Sequence, residues 1–96
     1  MNIEIEAPGE FIREELEARG WTQATFAAIL GRPLQTVNQI INGKKAITAQ
    51  TAKEIAVALG TSPEVWMNLE AAWQLHCAPE PDRGIRDRRR VGLRLG

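Results

Sequence analysis

The sequence predicts an all-α domain of five short helices over residues 1–77, followed by a basic, flexible tail over residues 78–96. Apolar residues recur at helical spacing in five successive stretches. Four of these end at a glycine, and good helix-capping residues precede several of them. No two alternating stretches offer the strand pair that a sheet would need.

The opening MNIEIEAP alternates Ile3 and Ile5 with Glu4 and Glu6, which is strand-like spacing over too few residues to build a sheet. It reads as an extended arm, packed on this domain or on a partner. Pro8 and Gly9 then lead into EFIREELEARG, where Phe11, Ile12 and Leu16 share a face, acids crowd the first half and Gly20 stops the helix. Trp21 follows as an expected core plug. Thr22 caps QATFAAIL, which ends at Gly31, and a third helix is expected from Leu34 to Asn42, with Gly43 behind it.

Thr48 caps a fourth helix, AQTAKEIAVAL, whose Ala52, Ile55, Ala56 and Leu59 form one face ahead of Gly60. The fifth helix opens at Thr61-Ser62-Pro63-Glu64, a hydroxyl cap with proline where its missing N–H is harmless and an acid that suits the positive helix end. It is expected to reach Leu75. After Cys77 the chain holds two prolines, three glycines and six arginines, and too few apolar groups to offset the entropy of ordering it.

With 96 residues and 44% hydrophobic content, one small core is possible, which favours association into a dimer. A single cysteine excludes an intrachain disulfide; with no signal peptide and no long apolar run, a soluble cytoplasmic protein is expected. The net charge of zero is unevenly spread. Residues 1–77 carry six basic and nine acidic groups, and residues 78–96 carry six arginines against three acids. Six of the nine acids precede Trp21, whereas Arg32, Lys44, Lys45 and Lys53 lie in or after the third helical region, so an acidic face and a nucleic-acid face are expected to be separate.

The stretch Thr22–Lys45 has the spacing of a helix-turn-helix. Counted from Gln23, Ala27 is fifth, Gly31 ninth, Val37 fifteenth and Ile40 eighteenth. Two helices meeting at roughly 90–120° need a small residue at the contact, a glycine in the turn and β-branched groups turned inward on the second helix. Ala27, Gly31, Val37 and Ile40 meet those needs. The alternative is an all-α bundle whose loop happens to hold a glycine.

Pro8-Gly9-Glu10, TQATFA, LQTVNQIINGKKAIT and TSPEVWMNLEAAWQL together resemble the HigA-type antitoxins, a branch of the Cro/repressor-like, XRE-type helix-turn-helix proteins. The resemblance covers Pro8 to Leu75. It implies a DNA-binding dimer that represses its own operon and neutralises a RelE-like ribonuclease toxin. Three departures stand out. Ala7 occupies a position where histidine is common, and Pro33 replaces a capping Ser or Thr, a loss worth ~1 kcal/mol of helix-end stability. The arginine-rich tail lies outside the resemblance.

When such a recognition helix lies in the major groove, its N-terminal side chains reach base edges. Leu34, Gln35, Asn38 and Gln39 are therefore the base-reading candidates; Gln35 and Gln39 suit adenine, and Leu34 suits a thymine methyl. The resemblance implies base contacts for Leu34, Gln35 and Gln39. Gln23, Thr36, Asn42, Lys44 and Lys45 are placed for phosphates. The alternative is a merely solvated face, weakened by the lack of acids from Arg32 to Lys53. So few cations imply two copies on double-stranded operator DNA, with half-sites about one helical turn apart. Trp66, Leu69 and Trp73 form a stripe on the fifth helix for the homodimer contact, or else close the core.

Catalysis, cofactors and metals are not expected. His76 and Cys77 lack the further ligands of a metal site, and the glutamates of the first helix read as a solvated face rather than paired acids. The tail either binds nucleic acid electrostatically, docks on a partner or only solubilises. No membrane association is expected. A regulator without a toxin is the alternative function, and the acidic first helix and the arm are the surfaces considered for a basic toxin.

Overall fold

The computed structural model describes residues 5–95, with Leu95 by its backbone alone. Most of the N-terminal arm, including the Ile3–Glu4 alternation, lies outside the described residues. Six helices are present among them: α1 (Pro8–Arg19), α2 (Gln23–Leu30), α3 (Leu34–Ile41), α4 (Ala49–Leu59), α5 (Pro63–Cys77) and α6 (Gly84–Leu95).

Among the first five, the predicted caps account for where α2, α4 and α5 begin and where α1, α2 and α4 end. Thr22, Thr48 and Ser62 each accept a backbone N–H from three residues on, at 3.0, 3.2 and 3.4 Å. Gly20, Gly31 and Gly60 end α1, α2 and α4 in the left-handed conformation, with φ of 67, 68 and 71°. Helix α1 starts two residues earlier than its apolar periodicity suggests, because Pro8 and Gly9 form its first turn; Ala7 provides no side-chain cap.

These five helices close a ring. Helix α1 packs on α3, α3 on α2, α2 on α4, α4 on α5, and α5 returns to α1. Inside lie Ile12, Leu16, Phe26, Ala27, Val37, Ile40, Ile41, Ile47, Ala52, Ile55, Ala56, Leu59 and Trp66. Trp21 is only half-buried: it covers the edge of the core under the Arg19 guanidinium, 5.6 Å from the ring centroid, rather than plugging the interior.

Two further expectations need correction. Trp66 is 2% exposed, and its indole Nε1 donates to Thr61 Oγ1 at 2.7 Å. It belongs to the core, not to a dimer surface. The tail, expected to be flexible, contains α6. Arginine has a high helix propensity, and the segment from Ile85 to Val91 is free of glycine and proline. Asp82 organises its start, accepting the Gly84 N–H at 3.0 Å and the Arg88 guanidinium at 2.6 Å; that ion pair and the Gly84 bond hold the carboxyl below its ordinary range. Helix α6 lies outside the ring with its described side chains exposed.

Candidate nucleic-acid interface

The α2–α3 corner positions the site. At the end of α2, Arg32 N–H donates to Ala27 C=O at 3.0 Å and Gly31 N–H to Ala28 C=O at 3.2 Å, the paired closure of a Schellman turn. Pro33 then takes the N-cap position of α3 with φ −60° and ψ 143°, and no side-chain cap bond is made. Its fixed φ sets the entry to α3, and its carbonyl receives the Thr36 and Val37 N–H groups at 3.0 and 3.2 Å.

Helix α3 divides into two faces. Val37, Ile40 and Ile41 are buried, with Ala27 of α2 against the same core. Leu34, Asn38, Gln35 and Gln39 occupy one contiguous arc at the 3.6-residue period. Leu34, Gln35 and Asn38 are exposed, and Gln39 is half-buried. Gln23 and Thr36 are also half-buried, while Asn42, Lys44 and Lys45 are exposed. The Lys44 and Lys45 N–H groups both return to Gln39 C=O, at 2.8 and 3.2 Å, so the lysines stay close to the C-terminal end of α3.

Several of these side chains are linked directly. Asn42 Nδ2 donates to Asn38 Oδ1 at 2.8 Å, and Asn38 Nδ2 donates to Gln23 Oε1 at 3.1 Å. Arg13 of α1, which sequence reasoning did not single out, donates from Nη2 to Asn42 Oδ1 at 2.6 Å. A separation of 29 residues leaves no local pattern that could have announced this contact.

Electrostatics also separate the cations. Arg32 is held bidentately by Glu54 of α4, Nε to Oε1 at 2.9 Å and Nη2 to Oε2 at 2.7 Å, so its charge ties the turn to α4. The hydrogen-bonded pair raises the arginine pKa and lowers that of the Glu54 carboxyl. The lysine loop is braced from behind: buried Glu70 of α5 accepts Ile47 N–H at 2.7 Å through Oε1 and Gln74 Nε2 at 3.1 Å through Oε2. A glutamate inside an apolar stripe gave no sequence signal of this role.

A helix-turn-helix family model (HTH_3) matches residues 12–66, more than half of the chain and the whole of α2 and α3. The uncharacterized HTH-type transcriptional regulator YddM of Escherichia coli (strain K12) is 34% identical over 68 residues, covering 71% of this chain and 72% of that protein. Antitoxin HigA-1 of Vibrio cholerae is 40% identical over 68 residues, covering 70% of this chain and 64% of the relative. The chain belongs to the HTH_3 helix-turn-helix family, in its HigA-type antitoxin branch. Among solved structures of that branch, Pseudomonas aeruginosa antitoxin HigA with the higBA promoter superimposes with a TM-score of 0.72 at 31% identity. The match spans 76% of this chain and 80% of that one. HigA-type relatives are DNA-binding regulators rather than enzymes, which agrees with a site built of amides, lysines and one exposed leucine. No helix among the described residues is long and apolar enough to cross a membrane.

Proposed function

We propose that this chain is the antitoxin of a toxin–antitoxin pair in the bacterial cytoplasm, binding operator DNA as a homodimer to repress its own operon and neutralising a RelE-like ribonuclease toxin. The observation that carries the DNA half is the α3 face itself. Leu34, Gln35, Asn38 and Gln39 stand side by side without an acid among them, and Gln23, Thr36, Asn42, Lys44 and Lys45 surround them as candidate phosphate contacts. The similarity to an antitoxin solved with its promoter supports the same orientation of α3 toward the major groove.

The dimer contact is assigned to α5 with one revision. Trp66 is occupied in the core, so the accessible stripe is Val65, Leu69 and Trp73 at i, i+4 and i+8. Val65 is 45% exposed, and Leu69 and Trp73 are half-buried. Two copies joined there offer two recognition helices, which compensates for a face whose free cations are few. Residues 1–77 act as the DNA-binding unit and residues 78–96 as an appended basic helix.

Two measurements test the reading. In a mobility-shift titration, the DNA upstream of this reading frame should bind in preference to random duplex. Coexpression with the neighbouring small basic reading frame should yield a copurifying pair and relieve growth arrest. Selective DNA binding with no partner and no relief would instead support a regulator without a toxin.

A further inference from the structure

Arg13, Asn42, Asn38 and Gln23 form one unbroken hydrogen-bond chain across α1, the end of α3, the middle of α3 and the start of α2, with links of 2.6, 2.8 and 3.1 Å. An amide side chain can turn either its oxygen or its NH2 toward a neighbour, so a row of three amides has two polarities of similar energy. A guanidinium has no acceptor. Where it ends the row, only one polarity remains: Asn42 must present Oδ1 to Arg13, hence its Nδ2 to Asn38, and Asn38 in turn its Nδ2 to Gln23.

We propose that Arg13 is a positioning residue that sets the donor–acceptor polarity of the amides on the DNA-facing surface. The consequence falls on two groups. Gln23, at the first position of α2, is left with both Nε2 hydrogens free, which suits a phosphate because phosphate oxygens only accept. Asn38 keeps one free N–H and one free lone pair in a fixed orientation, the pair that adenine recognition requires. With the polarity reversed, Gln23 would turn its oxygen outward and repel a phosphate.

Arg13 is poorly suited to a simple cationic role. Glu10 Oε1 lies 3.5 Å from its Nε and counters its charge, and its side chain is committed to Asn42. Its value lies in being an obligate donor.

This inference rests on the operator-binding reading, and its test separates the two. Arg13→Gln, which can donate or accept, and Arg13→Lys, which can only donate, are compared with wild type. Three readouts are taken: side-chain amide NMR of the free protein, thermal unfolding, and binding to the duplex upstream of this reading frame against random duplex across a salt series. In Arg13→Gln, the Asn42 and Asn38 side-chain NH2 resonances should shift with the remaining fold intact. The preference for the upstream duplex should fall about 10-fold with the salt slope unchanged. Arg13→Lys should restore both. An unchanged preference, or an equal loss on both duplexes with the slope reduced by about one, would overturn the proposal in favour of a structural or direct phosphate role. If wild type itself shows no preference, the operator reading fails, while unshifted amide resonances in Arg13→Gln would independently refute the relay.

Discussion

Gly9 in the first turn of α1 lies so close to the carbonyl of Ile41 that a Cβ at position 9 would stand 1.8 Å from that oxygen and 2.6 Å from the carbonyl carbon. The contact is backbone against backbone, so no side chain can yield. It seats the positive end of α1 on the carbonyl end of α3 and thereby fixes the tilt of the helix that carries Asn38 and Gln39.

Gly9→Ala is therefore expected to destabilise the fold by about 1–3 kcal/mol or more, as overpacking does, despite the higher helix propensity of alanine. Urea unfolding of the variant would measure it. A neutral or stabilising result would contradict the close seating of α1.

The two tryptophans of α5 should behave differently. Trp66→Ala removes a fully buried ring and its bond to Thr61, and should cost about 3–5 kcal/mol, enough to unfold a domain of this size. Trp73→Glu should leave helicity intact and shift sedimentation from dimer to monomer. Circular dichroism and analytical ultracentrifugation on both variants distinguish these outcomes; loss of helicity in Trp73→Glu would return Trp73 to the core.

The Arg32–Glu54 pair makes stability depend on pH in a defined direction. The Glu54 carboxyl is depressed below its ordinary value of 4.5, so the unfolded chain binds its proton more readily than the folded one. The contribution is present above that ordinary value and lost as pH falls toward the depressed one. Thermal unfolding of Glu54→Gln against wild type should show a stability gap at neutral pH that closes on acidification below 4.5; a constant gap would mean that the ion pair is not its source.

The positions proposed to read bases and those proposed to contact phosphates should separate in binding experiments. Gln35→Ala and Gln39→Ala should each relax base preference, by about 1–3 kcal/mol where a bidentate contact is lost. Lys44→Ala and Lys45→Ala should weaken binding to all sequences alike and lower the salt slope by about one each. Selection from randomised duplexes, followed by salt titration, reads both effects.

Helix α6 predicts a further result. Asp82→Ala removes the acceptor of the Gly84 N–H and the partner of Arg88, so the helicity of residues 84–95 should fall while the five-helix ring unfolds at an unchanged temperature. Truncation after Cys77, compared with full-length protein across a salt series, then reports whether the arginines of α6 touch DNA: an unchanged slope removes them from the interface.

The local features of this protein were open to reading from the chain alone. Thr22, Thr48, Ser62, Gly20, Gly31 and Gly60 act on their own or neighbouring backbone, so their effect on helix ends needs no tertiary knowledge. The spacing of Ala27, Gly31, Val37 and Ile40 likewise specifies the corner and leaves one arc of α3 outward. Helix α6 escaped because composition weighed against order, although arginine propensity and Asp82 favour a helix there.

What no local pattern carried are the contacts between distant segments. Trp66 and Trp73 share one stripe on α5 and differ only in what packs over them; Arg32 has no acid near it in the chain until α4 brings Glu54 to it. Glu70 carries no local signal of the Ile47 N–H it accepts, and Arg13 is one charge among many on α1 until Asn42 meets it. The sequence by itself determined the first five helices, the glycine and hydroxyl caps and the outward arc of α3, because those depend on interactions within a few residues. Only the tertiary structure decided which tryptophan is core, which arginine is engaged and which amides are aligned, because burial and hydrogen-bond partners are set by chain segments that meet only on folding.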